Sequence, residues 1–465
     1  MKYHRHKQTT KKTSPIDKKT HDAFLGKDNV CAYTLSTDSN GIAKLEDGSI
    51  VFVEDLLPGE KALIKIQSQK STYKRATVLN RENNSEIRTT PPCPYFMTCG
   101  GCQIQHIKQE NQINTKIQWF FETLKRVGKW DSEHIVAAEK KISLVYLKTD
   151  HYRRRIRLHY DGKRLGFHKK ESNNIIAIES CYIARSPLND KIPFLKNKLT
   201  TVYPELQKIV QSSSQLEFDI ELTESDDEKV LLNFINVQDH KVKTALKAHF
   251  ELEEDQLIHI KHPKLGKFKL KKESFIQPHF DSLNNYYTHI SHCVDLFLTS
   301  HLKSLQTVHA WDLYAGSGVF SCIPYFSAKK LNLESTCIAV EGVKEAIDSL
   351  KLNYKDLPVK GLVQDVQDFI EKQFSLLASE QTFNKVNVVI LDPPRSGVGI
   401  PNMQKLVELC APESCLLYLA CDPASFARDS RVLLEGGFHN KQIFIFDSFG
   451  QTNFYEVLGF FVRAL

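Results

Sequence analysis

The feature that most constrains this chain is a series of short apolar runs beginning near Leu283, each closing on polar or glycine residues. "HAWDLYAGSG", "CIAVEG", "GLVQDV", "VNVVILDPP", "CLLYLACDP" and "QIFIFD" read as buried strands, with helical stretches between them. Strands that alternate with helices build a doubly wound, mostly parallel α/β sheet with helices on both faces. Ligands on such a sheet bind beyond the C-terminal ends of the strands. There the first strand is followed by Gly316 and Gly318, whose lack of side chains lets the backbone approach a ligand. The second ends in Glu341, an acid that can accept both hydrogen bonds of a ribose diol. Ser321 stands where a dinucleotide fingerprint would have its third glycine, which disfavours NAD.

At 465 residues the chain exceeds what one core organises, so two or three domains are expected. Residues 1–21 read as a basic disordered tail. Residues 22–88 alternate in short runs, "SIVFVEDL" and "KALIKIQ", between turn signals such as "EDG" and "LPGE". That pattern describes a small β-barrel. The stretch "NGIAKLEDGSIVFVEDLLPGEKALIKI" resembles the TRAM domain, an oligonucleotide-binding-type barrel attached to RNA-modifying enzymes. Residues 89–282 read as a central α+β domain, and 283–465 as the α/β domain above.

No apolar run approaches the roughly 18 residues a membrane span needs. The lysine-rich start has no apolar segment behind it, so a cytoplasmic protein is expected. Eleven cysteines in a reducing compartment point to metal or catalysis rather than to disulfides. Three of them, Cys93, Cys99 and Cys102, fall within "CPYFMTCGGC". Four thiolates suit either zinc or an iron–sulfur cluster. Three leave the set one ligand short.

Cys421, in "LACDPAS", closes a strand just before an expected helix, whose N-terminal dipole favours the thiolate. Glu456 lies near the same sheet edge. The glycine turn and Glu341 resemble motifs I and II of class I S-adenosylmethionine (AdoMet) methyltransferases. Beside such a site, a thiolate and a carboxylate suit methylation of uracil carbon 5. Addition of the thiolate to carbon 6 makes carbon 5 nucleophilic, and a base then removes its proton. The target base must leave its stack to be reached.

"CPYFMTCGGCQIQH", "SFIQPHF", "DLYAGSGVF", "LDPPRSG", "CDPASFARD" and "DSFGQTNFYE" together are similar to the RNA uridine C5-methyltransferase family, most of all its 23S ribosomal RNA branch. The resemblance implies that Gln277, Tyr314, Glu341, Asp365 and Asp392 contact AdoMet, that Cys421 is the nucleophile and that Glu456 is the base. It also implies a fourth thiol, Cys181, which with Cys93, Cys99 and Cys102 would hold a [4Fe–4S] cluster. Four positions depart from the family pattern, which has Asn at His279, Asn at Val319, Pro at Gly450 and His at Phe454.

The expected partner is 23S ribosomal RNA, without DNA or membrane, and a monomer is the default. Transfer RNA is the alternative substrate, and a non-catalytic RNA-binding assembly factor the alternative of another class. Arg153, Arg155 and Arg157 would share one strand face toward phosphates, with Tyr152 and Tyr160 near enough to stack on bases, while Arg154 faces an internal carboxylate.

Overall fold

The protein is described by a computed structural model covering residues 26–210, 216–253, 256–379 and 385–463. The expected basic tail, 1–21, lies outside the described residues. The chain divides into two compact units between Arg88 and Thr89.

In the first unit, β1 (Lys27–Cys31), β2 (Thr34–Leu35), β3 (Gly41–Lys44), β4 (Ile50–Glu54), β5 (Lys61–Gln69) and β6 (Lys74–Arg81) form one sheet in the order β1-β5-β6-β4-β3-β2. Period-two alternation buries Val51 and Val53 of β4 and Ala62, Ile64 and Ile66 of β5 in a single apolar cluster. Glu60 is fully buried, and Arg88 closes on it with Nε 2.5 Å from Oε1. The last residue of the unit thus pairs the charge at its centre.

The second unit begins with α1 (Gln109–Arg126), α2 (Ser132–Glu139) and β7 (Ile142–Val145). A five-stranded antiparallel sheet follows: β8 (Arg155–Tyr160), β9 (Leu165–His168), β10 (Ile175–Ala177), β11 (Phe218–Glu224) and β12 (Val230–Ile235). Its core is shared with α3 (Ser186–Val210) and α4 (His240–His249). The hairpin of β13 (Leu257–His262) and β14 (Gly266–Lys271) leads to α5 (Ser282–Ser300).

The remaining elements are β15 (Thr307–Leu313), α6 (Ile323–Lys330), β16 (Glu334–Glu341), α7 (Lys344–Asn353), β17 (Val359–Val363), α8 (Val366–Ala378), β18 (Val386–Leu391), α9 (Ile400–Leu409), β19 (Cys410–Ala420), α10 (Pro423–Glu435), β20 (His439–Phe446) and β21 (Glu456–Arg463). The large sheet runs β17-β16-β15-β18-β19-β21-β20-β7. Among its described strands only β21 is antiparallel to its neighbours. Helices α5, α6 and α7 cover one face and α1, α8, α9 and α10 the other. This is the doubly wound α/β sheet that the alternating pattern implies.

The expected boundary between residues 282 and 283 does not separate the cores. Ile113, Phe120 and Leu124 of α1 join the large sheet's core, as do Ile258 and Ile260 of β13, and β7 pairs with β20. The chain enters the large sheet, leaves it for the five-stranded sheet, and returns. β7 offers only four half-buried residues, and its partner lies at the far end of the sequence, so no local pattern marks it.

Candidate active site and thiol cavity

One cavity of about 620 Å³ opens at the C-terminal ends of β15, β16, β18 and β19, and Gln277, Tyr314, Glu341, Asp365, Asp392, Cys421 and Glu456 all line it. Its floor is the turn after β15. Gly316 and Gly318 have positive φ, 53° and 82°, and a Cβ on Gly318 would lie 2.5 Å from Leu350 of α7. Glycine is required there for both reasons. Glu341 Oε2 accepts from the Gly316 N–H at 3.0 Å and Oε1 from the Val343 N–H at 2.9 Å. A carboxylate has further lone pairs to offer a diol.

Beneath the turn, Ser321 Oγ donates to Asp312 Oδ2 at 2.5 Å. The residue that replaces the third glycine therefore holds the acid under the floor. Burial pushes the carboxyl of Asp312 up to about 7, opposed by the Ser321 hydroxyl and reinforced by Glu341. Asp392 is also pushed up to about 7, by burial first and then by Asp312 and Glu341. Asp365 caps α8, its Oδ1 accepting from the Gln367 N–H at 2.8 Å while the residue lines the cavity.

Ala420 opposes Val457 across the β19/β21 pair, which sets Cys421 and Glu456 side by side at its open end. Glu456 is 4% exposed, and its Oε2 has no hydrogen-bond partner among the described residues. Burial, then Asp392, holds its carboxyl well above the ordinary range, with Arg395 opposing. Cys421 departs from its expected thiolate bias. Burial, then Glu456 and Asp392, push its thiol up to about 12, and Arg395 is the opposing cation. Burial and the two acids thus act against the dipole of α10, whose cap Asp422, accepting from the Ser425 N–H at 2.8 Å, adds the smallest share.

A second cavity, of about 220 Å³, is lined by Cys93, Cys99, Cys102 and Cys181 together with Tyr95, Phe96, Arg153 and Arg157. The Gly101 N–H donates to Cys99 Sγ at 3.4 Å, and the Cys181 N–H to Asn189 Oδ1 at 2.8 Å. Burial raises Cys99 and Cys181 and takes Cys102 up to about 12, with mutual repulsion among the thiols adding to it. Among the described residues, no three His, Cys, Asp or Glu side chains are arranged to hold a metal ion.

Residues 34–79 match the TRAM domain family. Along nearly its full length the chain is similar to the 23S rRNA (uracil(1939)-C(5))-methyltransferase RlmD of Shewanella woodyi, 31% identical over 90% of this chain and 92% of that protein. The chain belongs to the RNA uracil-C5-methyltransferase family. The RlmD of Photobacterium profundum is 29% identical over 91% of each chain. The Pyrococcus abyssi tRNA (uracil-54, C5)-methyltransferase, solved with S-adenosyl-L-homocysteine, superposes with a TM-score of 0.62, covering 93% of this chain and 100% of that one at 18% identity.

Against this family's pattern, two of the four departures form one packing arrangement. His279 donates from Nε2 to the Lys148 carbonyl at 2.9 Å, accepts from the Asp281 N–H, and stacks on Tyr152 at 4.8 Å. The Tyr152 hydroxyl donates to the Gly450 carbonyl at 3.1 Å, and a Cβ on Gly450 would lie 2.5 Å from Thr149. Segment 148–152 is clamped between positions 279 and 450. At Val319 the turn is held through its backbone carbonyls instead. His262 Nε2 donates to the Val319 carbonyl at 2.8 Å, and the Tyr354 hydroxyl to the adjacent Gly318 carbonyl. Burial pushes His262 down to about 4 and keeps it neutral for this role.

Sequence reasoning missed His262, Tyr354 and the loop anchors Lys116 and Gln112. Lys116 is fully buried and donates to Asp447 at 2.6 Å and to the Phe449 carbonyl at 3.1 Å. Its spacing from Ile113 and Phe120, on the apolar face of α1, was the available signal. Gln112 and Gln451 exchange hydrogen bonds of 3.1 Å, and the Gln103 and Ile104 N–H groups donate to the Gln451 carbonyl. The loop before Glu456 is thereby tied to the cysteine segment.

The arginine row has partners inside the protein, with Arg157 still half-exposed, and only the stacking role of its neighbouring tyrosines is corrected. Arg155 is held by Thr223 Oγ1 at 2.8 Å and Arg157 pairs with Glu221 at 3.4 Å, while Arg153 and Arg157 border the thiol cavity. Tyr152 and Tyr160 are buried and cannot stack on bases. Arg154 is internal as expected, paired with Asp226 and the Glu224 carbonyl.

Proposed function

We propose that this protein transfers the methyl group of AdoMet to carbon 5 of a uridine in 23S ribosomal RNA. The observation that carries the reading is the convergence of Cys421 and Glu456 on the same cavity as the glycine turn, Glu341, Asp365 and Asp392. AdoMet, when bound, supplies the methyl group and a sulfonium positive charge. Tyr314, Glu341 and Asp365 would hold its nucleoside, and Gln277 and Asp392 would line the end nearer the reacting atoms. Cys421 Sγ adds to uracil carbon 6, and the electron pair of the 5,6 double bond moves onto carbon 5 and its carbonyl. Carbon 5 takes the methyl group, Glu456 takes the carbon 5 proton, the double bond re-forms and the sulfur leaves as thiolate. Arg395, the cation opposing both shifts, favours the ionised forms of Cys421 and Glu456 that these steps use.

Cys93, Cys99, Cys102 and Cys181 would hold the [4Fe–4S] cluster. Four half-buried thiols around one cavity, without carboxylates in its lining, form a soft ligand set suited to it. The cluster would brace the cysteine segment against the central sheet. Incubation with labelled AdoMet and unmodified 23S ribosomal RNA or transfer RNA, with Cys421→Ala as control, tests the whole reading. Label as 5-methyluridine in ribosomal RNA supports it. Label in transfer RNA alone overturns the substrate, and label in neither, with AdoMet bound, overturns the enzyme.

A further inference from the structure

Phe454 stands two residues before Glu456 on the cavity rim and is 37% exposed, an unusual position for a phenylalanine beside a buried acid. The guanidinium of Arg395, which lines the catalytic cavity, lies 4.7 Å from the centre of its ring. Phe449 meets the same ring edge-on at 6.5 Å. The backbone beneath is fixed. The Thr452 hydroxyl donates to the Phe449 carbonyl at 2.7 Å and accepts from the Phe454 N–H at 3.2 Å. Gln451 holds a φ of 68°, a conformation costly for a residue with a side chain, and both its backbone groups are bonded. A strained and fully tied loop therefore presents an exposed ring with a cation on it.

An aromatic ring flanked by a guanidinium is a surface on which an unpaired base stacks irrespective of its identity. The target uracil must enter the cavity where Cys421 and Glu456 lie, whereas Phe454 sits outside it on the rim. We propose that Phe454, with Arg395, stacks the nucleotide adjoining the target uridine and so holds the RNA strand while the target is turned into the cavity. The proposal rests on the RNA methyltransferase reading above. Phenylalanine at this position gives the chain a larger, uncharged ring where the family pattern has the smaller imidazole of a histidine.

The test is steady-state methylation of a synthetic RNA spanning the methylated uridine, with the flanking base on either side present or replaced by an abasic residue. Phe454→Ala is expected to raise the KM for RNA about tenfold, the size of one lost base–aromatic stack. The AdoMet dissociation constant should not change, and Phe454→Tyr should restore the KM. One of the two abasic substrates should show the same rise with the unaltered enzyme and no further rise with Phe454→Ala. If Phe454→Ala leaves the KM unchanged and moves the pH profile of kcat, the ring only steadies Arg395 and the proposal falls. Additive effects of the abasic site and the substitution also overturn it. An unaltered enzyme that methylates no RNA would instead overturn the parent reading.

Discussion

The catalytic cavity takes its side chains from the ends of neighbouring strands, whereas the thiol cavity is closed by two loops, one before α1 and one between β10 and α3. In the first, two of the acids are restrained by the turn after β15: Asp312 by the Ser321 hydroxyl and Glu341 by the Gly316 amide. In the second, the thiols crowd one cavity, and burial first and then neighbouring thiols raise Cys99, Cys102 and Cys181. The first is preorganised by the fold, and the second would need a positively charged occupant before its thiols could ionise together. Preorganisation of this kind is what lets an active site act on developing charge without rearranging.

The comparison is broken most severely at Cys421. Cys421→Ala should lower methylation by about a thousandfold or more while AdoMet still binds, as removal of a covalent nucleophile does. Glu456→Gln should instead let a protein–RNA adduct accumulate, visible on a denaturing gel; rapid turnover without adduct would exclude Glu456 as the base. Cys181→Ser should abolish bound iron and sulfide and lower the melting temperature by roughly 4–8 °C, as loss of a few kcal/mol of metal cross-link does. If it also abolishes AdoMet binding, the two cavities are not independent. A fourth substitution, His262→Ala, leaves the part-buried Val319 carbonyl without its partner and should weaken AdoMet binding about tenfold by calorimetry.

The smallest effect is in pH. Asp392, held up to about 7, is protonated below that pH and gains its negative charge above it. A cation such as AdoMet should therefore bind about fivefold more tightly at pH 8 than at pH 6. The dependence should shrink in Asp392→Asn to what Asp312, titrating in the same range, leaves, and should vanish for S-adenosyl-L-homocysteine, which lacks the sulfonium. Equal slopes for both ligands would remove Asp392 from the explanation.

How legible each region was follows from how it is built. The catalytic residues sit at strand ends, and apolar runs closed by glycine or acid announce strand ends locally. Cys181 is separated from its partners by a long stretch of chain and came only from the family pattern. His262 and Tyr354 act through backbone carbonyls, and a carbonyl leaves no mark in the sequence of the turn that offers it. Cys421 was located by its strand and helix, but the burial and the acids that oppose the dipole there converge on it only in three dimensions.

β7 carries a consequence for how the protein is made. Ile142 pairs with Ile443, so an edge of the large sheet emerges from the ribosome long before the strand it must join. Non-local pairings of this kind fold slowly and leave apolar surface waiting. Neither a nascent chain that ends before β20 nor an isolated 283–465 fragment has the complete sheet, the latter lacking both β7 and the face of α1. The stretch that looks separable by sequence is therefore the part that must be synthesised in full before it can finish folding.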